Sequence, residues 1–440
     1  MAVEAAPKDM TSSVVNEAFQ YPLMDALYKR RTRRFARGME MKTGLLQYKS
    51  KKSLIPLSEL EEAILCHAMG GVTGSIGGDL DTHGSDGNGA GSHGSVVNTL
   101  VYWAGKTYPS PCSSHGVSLL FTNDEGVFVY EPEKVPGAVI EIATASDRDK
   151  ILDVFRKSTK KISDSRLTNP NDVPGMVIAG DLWNWNAPGT TLFIPVVSMV
   201  DEWINLMITE IEDDRWQIID ERADGRPCGW DSNPDAREWC TGLQIPVGVW
   251  EQLIFNITLA QNPMGVMNGL LVAEAMGVGS YPCCGIVPQV VLGELGFDVA
   301  QGPAGEPYFT GKRGVIEPLM PPYYESFDAA VDHLVDLKFG QAGTYSSGKL
   351  ESARYSDAGK FADGGIPASK QVAIQVTKDV LRYCWETYGR FPLKYDAVTF
   401  PLTAQFHHLD LDFYDTYYRP EHVTDLHRQH LSYWHAFEEA

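Results

Sequence analysis

The chain has 440 residues, 43% of them hydrophobic and 21% charged, a globular composition with enough sequence for one large or two medium domains. With 37 basic against 57 acidic residues, the formal charge of −20 repels a phosphate backbone and argues against nucleic acid as a general partner. No run of about 18 apolar residues occurs, and residues 1–9 carry no basic stretch followed by an apolar one, so neither a membrane partner nor a signal peptide is expected and the reading is a soluble, cytoplasmic protein.

In chain order, Pro22 opens a short helix through Leu23, Met24, Leu27 and Tyr28, which places a run of arginines at its end. Between Lys29 and Lys52 there are ten Lys or Arg and a single acid, Glu40, an inversion of the overall charge. A solvated basic face and a site for an anionic group both fit such a run. Ser58 and Glu61 form a capping box ahead of a helix with Leu60, Ile64, Leu65 and Ala68 on one face, ended by Gly70 and Gly71. The Gly-, Ser- and Asp-rich stretch 70–95 reads as an exposed insertion or lid. Two strands, VSLLFTN and GVFVYEP, meet at the turn Asp124-Glu125-Gly126, and an amphipathic helix is expected over 148–162. A strand at 175–180, an apolar stretch over 193–211 and a loop over 222–240 follow. From Pro246 to Gly279 the pattern predicts one or two buried helices, broken near Asn262-Pro263. A further helix spans 370–388. The seven scattered cysteines, with no C-x-x-C, read as reduced thiols, including the adjacent Cys283 and Cys284.

Four local features stand in order: Arg30-Arg31-Thr32-Arg33-Arg34-Phe35; Pro56-Leu57-Ser58 opening a helix; Tyr108-Pro109-Ser110-Pro111-Cys112-Ser113-Ser114-His115; and Glu274-Ala275-Met276-Gly277-Val278-Gly279-Ser280. Together they resemble the nitroreductase superfamily, and within it the branch of the azoline oxidases of peptide natural-product pathways, where R-R-S-x-R, P-L-S-x-x-E-L, a P-S-x-G-type turn and A-L-G-L-G recur in this order. The resemblance covers residues 20–135 and 245–297. It implies an α+β three-layer sandwich, with a central mixed or antiparallel sheet between helices, and a homodimer with FMN at the interface. Reduced flavin N5 would then act as hydride donor, or oxidised flavin as acceptor, on a small-molecule or peptide-derived substrate, with NADH or NADPH as an electron donor that the resemblance allows.

The phosphate of FMN is a dianion suited to guanidinium and hydroxyl donors, which points to Arg30, Arg31, Thr32 and Arg34. The resemblance places Ser110, Ser113, Gly277 and Gly279 against the flavin, and His115 and Tyr108 nearest to it should a proton be needed. As local structure, Arg33 and Arg34 also read as surface charge, Ser110 as a helix N-cap, and Gly277 and Gly279 as a helix C-cap. Residues 1–300 are expected to form the FMN-binding unit, with insertions near 70–106 and 181–245, and residues 301–440 a C-terminal extension. Six of the eleven histidines fall after residue 406. They could bind zinc or iron in a metal-dependent hydrolase or oxygenase. No H-E-x-x-H string occurs, so no metal ligand is assigned and a polar-aromatic tail wrapped over the body is expected. A flavin-binding partner without turnover is the remaining alternative.

Overall fold

The computed structural model describes residues 8–75, 101, 104–110, 115–135, 142, 144–168, 180–345 and 368–435. Most of the Gly/Ser stretch, Ser113, Cys112 and residues 175–179 of the expected strand lie outside the described residues. The body is mixed α and β, built on a seven-stranded sheet. Its strands are β1 (Val117–Asn123), β2 (Gly126–Tyr130), β3 (Thr159–Ser163), β4 (Thr191–Ser198), β5 (Gly279–Cys283), β6 (Val398–Thr399) and β7 (Thr403–His407). They run in the order β5-β7-β4-β1-β2-β3, with β6 also on β4, and every pairing is antiparallel. The β1–β2 hairpin turns through Asp124 and Glu125, because Asn123 pairs with Gly126, whose φ of 146° a side chain would resist.

Alternation along the strands sorts two cores. Leu120 of β1 and Leu192, Ile194 and Val196 of β4 face a cluster completed by Trp185, Val291, Leu292 and Phe309. Leu119, Phe121 and Phe193 face the other way, onto three helices: α1 (Glu59–Gly70), α2 (Lys150–Ser158) and α4 (Val247–Met276). A third cluster is helical, formed by α3 (Met199–Asp213), the first half of α4, α5 (Phe327–Phe339) and α6 (Gln371–Tyr388). Among the described residues, no helix is long and apolar enough to cross a membrane.

The capping box holds: the Ser58 N–H donates to Glu61 Oε2 at 2.6 Å and Ser58 Oγ accepts from the Glu61 N–H at 3.4 Å. The expected break at Pro263 does not occur. Helix α4 is continuous from Val247 to Met276 with Pro263 inside it. The reason is burial on both sides: Asn262, Gly265 and Val266 are buried, and the Asn262 amide donates to the Pro195 carbonyl of β4, so tertiary packing outweighs the lost helical hydrogen bond. The apolar stretch 193–211 divides into β4 and α3, both buried inside this chain, so those residues give no reason to invoke a second subunit. Residues after 301 are not set apart from the sheet, since β7 lies between β5 and β4.

Helix α4 approaches α1 through Gly265, where an added Cβ would lie 2.6 Å from the Met69 carbonyl oxygen. Alanine is the better helix former by about 1 kcal/mol, but the backbone atom it meets cannot turn aside. Gly265→Ala is therefore expected to lower stability by about 1–3 kcal/mol in urea unfolding. A stabilised variant would show that the two helices are not in backbone contact.

Candidate functional site

The arginine segment follows the short helix Leu23–Lys29 as extended chain. Arg33 differs from its neighbours and from the surface-charge reading. It is 1% exposed, its Nη1 donates to Glu274 Oε2 at 2.7 Å and its Nε donates to the His422 carbonyl at 2.8 Å. A buried pair of this kind contributes little net stability, but losing one partner strands a charge, at a cost of about 3–5 kcal/mol. Arg33 therefore anchors the segment to the end of α4. Its backbone N–H donates to Ser280 of β5, and Arg37 N–H donates to His408, so residues 33–37 are stitched between β5 and the tail.

The other three arginines have no such partner. Arg31 and Arg34 are exposed and Arg30 is half-buried. Among the described residues no carboxylate lies within 4.0 Å of Arg30, Arg31 or Arg34. Arg31 Nη1 donates only to the carbonyls of Tyr28 and Arg30, and Arg34 sits 5.1 Å over the buried Tyr281 ring. Thr32 is exposed beside them. In an acidic chain, three guanidiniums without a carboxylate partner on one short extended segment form a local anion-attracting surface.

Gly277 and Gly279 lie next to this segment but face inward. Gly277 has φ 84° and caps α4, and an added Cβ there would sit 2.5 Å from the Leu426 carbonyl. A Cβ on Gly279 would meet Leu409 at 2.2 Å. Both backbones are covered by the chain's own tail.

The second group of expected residues stands elsewhere along α4. Asn268 of that helix donates to the Thr107 carbonyl at 2.8 Å, and Gln261 accepts from the Gly116 N–H at 3.0 Å. At about 1.5 Å rise per residue, this places the Tyr108-to-His115 turn more than ~13 Å from the Gly277 end. Ser110 and His115 are therefore not in direct contact with the arginine segment of the same chain. Tyr108 is 0% exposed, packed with Val117 and Val197, so it is a core ring and not an accessible proton donor. Ser110 Oγ accepts from the His115 N–H at 3.4 Å. Burial, aided by the Lys106 cation, brings the His115 imidazole down to about 4, so at neutral pH it is the uncharged ring and lacks the second, acidic proton of an imidazolium. Lys106 itself is buried in an ion pair with Glu133.

Sequence reasoning missed the role of Glu61. It is 0% exposed, and three imidazoles from the tail converge on it: His408 Nε2 at 2.9 Å and His430 Nε2 at 2.5 Å on Oε1, and His435 Nε2 at 3.0 Å on Oε2. Burial alone would raise its carboxyl, but the charge and hydrogen bonds of His408 and the hydrogen bonds of His430 and His435 outweigh that and hold it well below the ordinary carboxylate value. His430 and His435 come from helix α8 (Asp425–Trp434) and its C-cap, and His408 follows β7. His427, expected on the same face as His430, instead caps that helix through Thr424 and lies 3.9 Å from Glu274. Asp410 caps helix α7 (Leu411–Tyr417) by accepting from the Phe413 N–H. The tail does pack on its own body, with Phe413 stacked on Phe35 at 4.1 Å. The six described cysteines are free thiols.

No protein-family model and no curated protein matches the sequence. Among solved structures, the chain is similar to a protein assigned to the nitroreductases from Ralstonia eutropha JMP134, at 12% identity over 63% of this chain and 76% of that one, with a TM-score of 0.28. A TM-score that low carries no weight for fold or function.

His115 has a measurable consequence. Its folded value, about 4, lies below the free value of 6.5, so between these pH values the unfolded chain takes up a proton that the folded chain refuses, and this contribution to stability is lost as pH falls through that window. Asparagine accepts the left-handed φ of 50° at this position. His115→Asn should therefore gain on the parent by on the order of 1–3 kcal/mol between about pH 7 and about pH 4.5, read from thermal melts. A constant difference across that range would show that His115 titrates normally.

Proposed function

We propose that this chain is an oxidoreductase that holds FMN noncovalently, with the phosphate on Arg30, Arg31, Thr32 and Arg34. The observation that carries the reading is the unpaired guanidinium set, fixed in place by the buried Arg33–Glu274 pair, in a chain whose net charge is −20. The donors suit a phosphate dianion: planar, always charged, and free to make charge-assisted hydrogen bonds. The order of the sequence motifs supports a flavin over other phosphorylated ligands. When bound, the flavin ring supplies two-electron hydride chemistry, and the protein's part is binding and placement.

The Ser110–His115 segment stands more than ~13 Å along α4 from the arginine end, and in this reading, as the motif resemblance implies, the ring site is completed by a second copy. Leu23, Met24, Leu27 and Tyr28, between 41% and 72% exposed on the helix that leads into the arginines, are apolar surface suited to such a contact. In that arrangement His115, neutral at physiological pH, accepts or donates one hydrogen bond to the bound ring or substrate and is not a general acid. The substrate class is the small-molecule or peptide-derived one that the motif resemblance implies.

The purified protein is expected to carry flavin absorbance, and the cofactor released by denaturation to have the mass of FMN. Replacing both Arg30 and Arg34 with Ala removes two charge-assisted contacts at positions with no ion pair to lose, so occupancy should fall by more than about tenfold with the thermal midpoint of the flavin-free state moved little. A colourless parent that takes up no FMN, or full occupancy in the double variant, would overturn the assignment.

A further inference from the structure

We propose that Glu61, His408, His430 and His435 form a closed site for one divalent transition-metal ion of the zinc class, which fastens the C-terminal tail to the start of α1. The four donor atoms lie within 4.8 Å of one another and all four residues are buried. Convergence alone would not decide this, because a buried carboxylate can also accept hydrogen bonds from imidazoles.

The other ring nitrogens decide it. His408 Nδ1 lies 2.9 Å from the Ile55 carbonyl oxygen and His430 Nδ1 lies 2.7 Å from the Met276 carbonyl oxygen. A carbonyl oxygen only accepts, so both Nδ1 atoms carry the proton. In the neutral imidazole this leaves each Nε2 with a lone pair, and both lone pairs point at the same oxygen of Glu61. Acceptor facing acceptor in a buried site is repulsive. Either two adjacent imidazoles, with ring centroids 5.0 Å apart, are both protonated around one oxygen, or a cation lies between the nitrogens and the carboxylate. A metal ion satisfies both lone pairs and the carboxylate together, and His435 Nε2, 3.0 Å from the other Glu61 oxygen, is placed to be the fourth donor. The backbone carbonyl on each Nδ1–H is the outer support that orients a histidine ligand and fixes its tautomer.

Three imidazole nitrogens and one carboxylate oxygen match the ligand types of zinc, and of iron with lower discrimination. A tetrahedral ion at about 2.0–2.1 Å from each donor spaces the donors at roughly 3.3 Å, so the Glu61 oxygens would retreat by about 0.3–0.8 Å, and the widest-spaced donors, which lie within 4.8 Å of one another, would draw in around the ion. With four protein donors and no exposed side chain, the site is closed, which is the pattern of a structural ion and not of one with an open catalytic position. The Met276 carbonyl that supports His430 immediately precedes Gly277, so the ion would also brace the end of α4 where the arginine segment is anchored.

The test uses the full chain, freed of any affinity tag and purified without chelator, with metals measured by plasma mass spectrometry. Roughly one ion per chain is expected, falling at least about fivefold in Glu61→Gln and His435→Gln, while Ser58→Ala, which weakens the same helix cap but keeps every donor, retains it. Chelation should lower the thermal midpoint and Zn2+ should restore it. Should the site variants fail to fold, Co2+ added to the chelated parent provides a separate reading: visible absorption bands of a tetrahedral nitrogen- and oxygen-bound ion are expected. A parent without metal, whose melting and spectrum do not respond to Zn2+ or Co2+, would overturn the proposal in favour of a protonated histidine cluster. Stoichiometric metal in both variants would overturn it in favour of another location. Neither readout depends on flavin.

Discussion

The buried carboxylate of Glu61 is the constraint on which the arrangement of the chain rests. One side chain closes the N-terminal turn of α1 by accepting from Ser58 and also receives three imidazoles from residues near the other end of the sequence. An ionised carboxylate removed from water is tolerated only when each of its oxygens is compensated, so the tail must be in place for Glu61 to stay buried and ionised at the start of α1. The position of α1 in turn sets how α4 lies, because the two helices touch at backbone distance through Gly265 and Met69. The sheet, both of these helices and the tail are thereby tied into one mutually dependent unit.

A second buried pair extends this logic to the surface. Glu274, in the last turn of α4, takes the charge of Arg33, and with that arginine committed inward its neighbours at 30, 31 and 34 are left without acidic partners among the described residues. Alternation along residues 33–35 sends Arg33 and Phe35 into the core and leaves Arg34 outside, while Arg31, in the same phase as Arg33, lies before the buried stretch and stays exposed. The anion-attracting surface is thus a by-product of how the segment is anchored. Its chemistry is set by what Arg33 does out of sight.

Local features were legible in the sequence because their causes are local. The Ser58–Glu61 box, the Asp124–Glu125 turn and the helix ending at Tyr388 are each fixed by residues within a few positions of one another. Non-local features were not. Nothing in the spacing of the tail histidines separates His427, which belongs to Glu274, from His430, which belongs to Glu61, because the partners are far off in sequence and only the fold chooses between them. Pro263 was misread for a related reason: its effect on an isolated helix is a break, and the packing that overrides it comes from β4 and α1. The tail looked too polar for a core. Gln405, His407 and His408 are nonetheless buried, because β7 is an interior strand flanked on both sides.

That placement of β7 bears on how the protein is made. A growing chain leaves the ribosome in sequence order and begins to fold as it does so. Here β4 and β5 emerge early yet cannot be joined until β7, from far later in the chain, slips between them. Until then both strands present open edges and uncovered apolar faces to whatever else is in the cell, which is the situation in which nascent chains aggregate or are held by chaperones. The molecule is therefore committed to completing its sheet after most of it has been synthesised. An interrupted translation product would lack the interior strand that joins β5 to the rest of the sheet, not merely a trailing end.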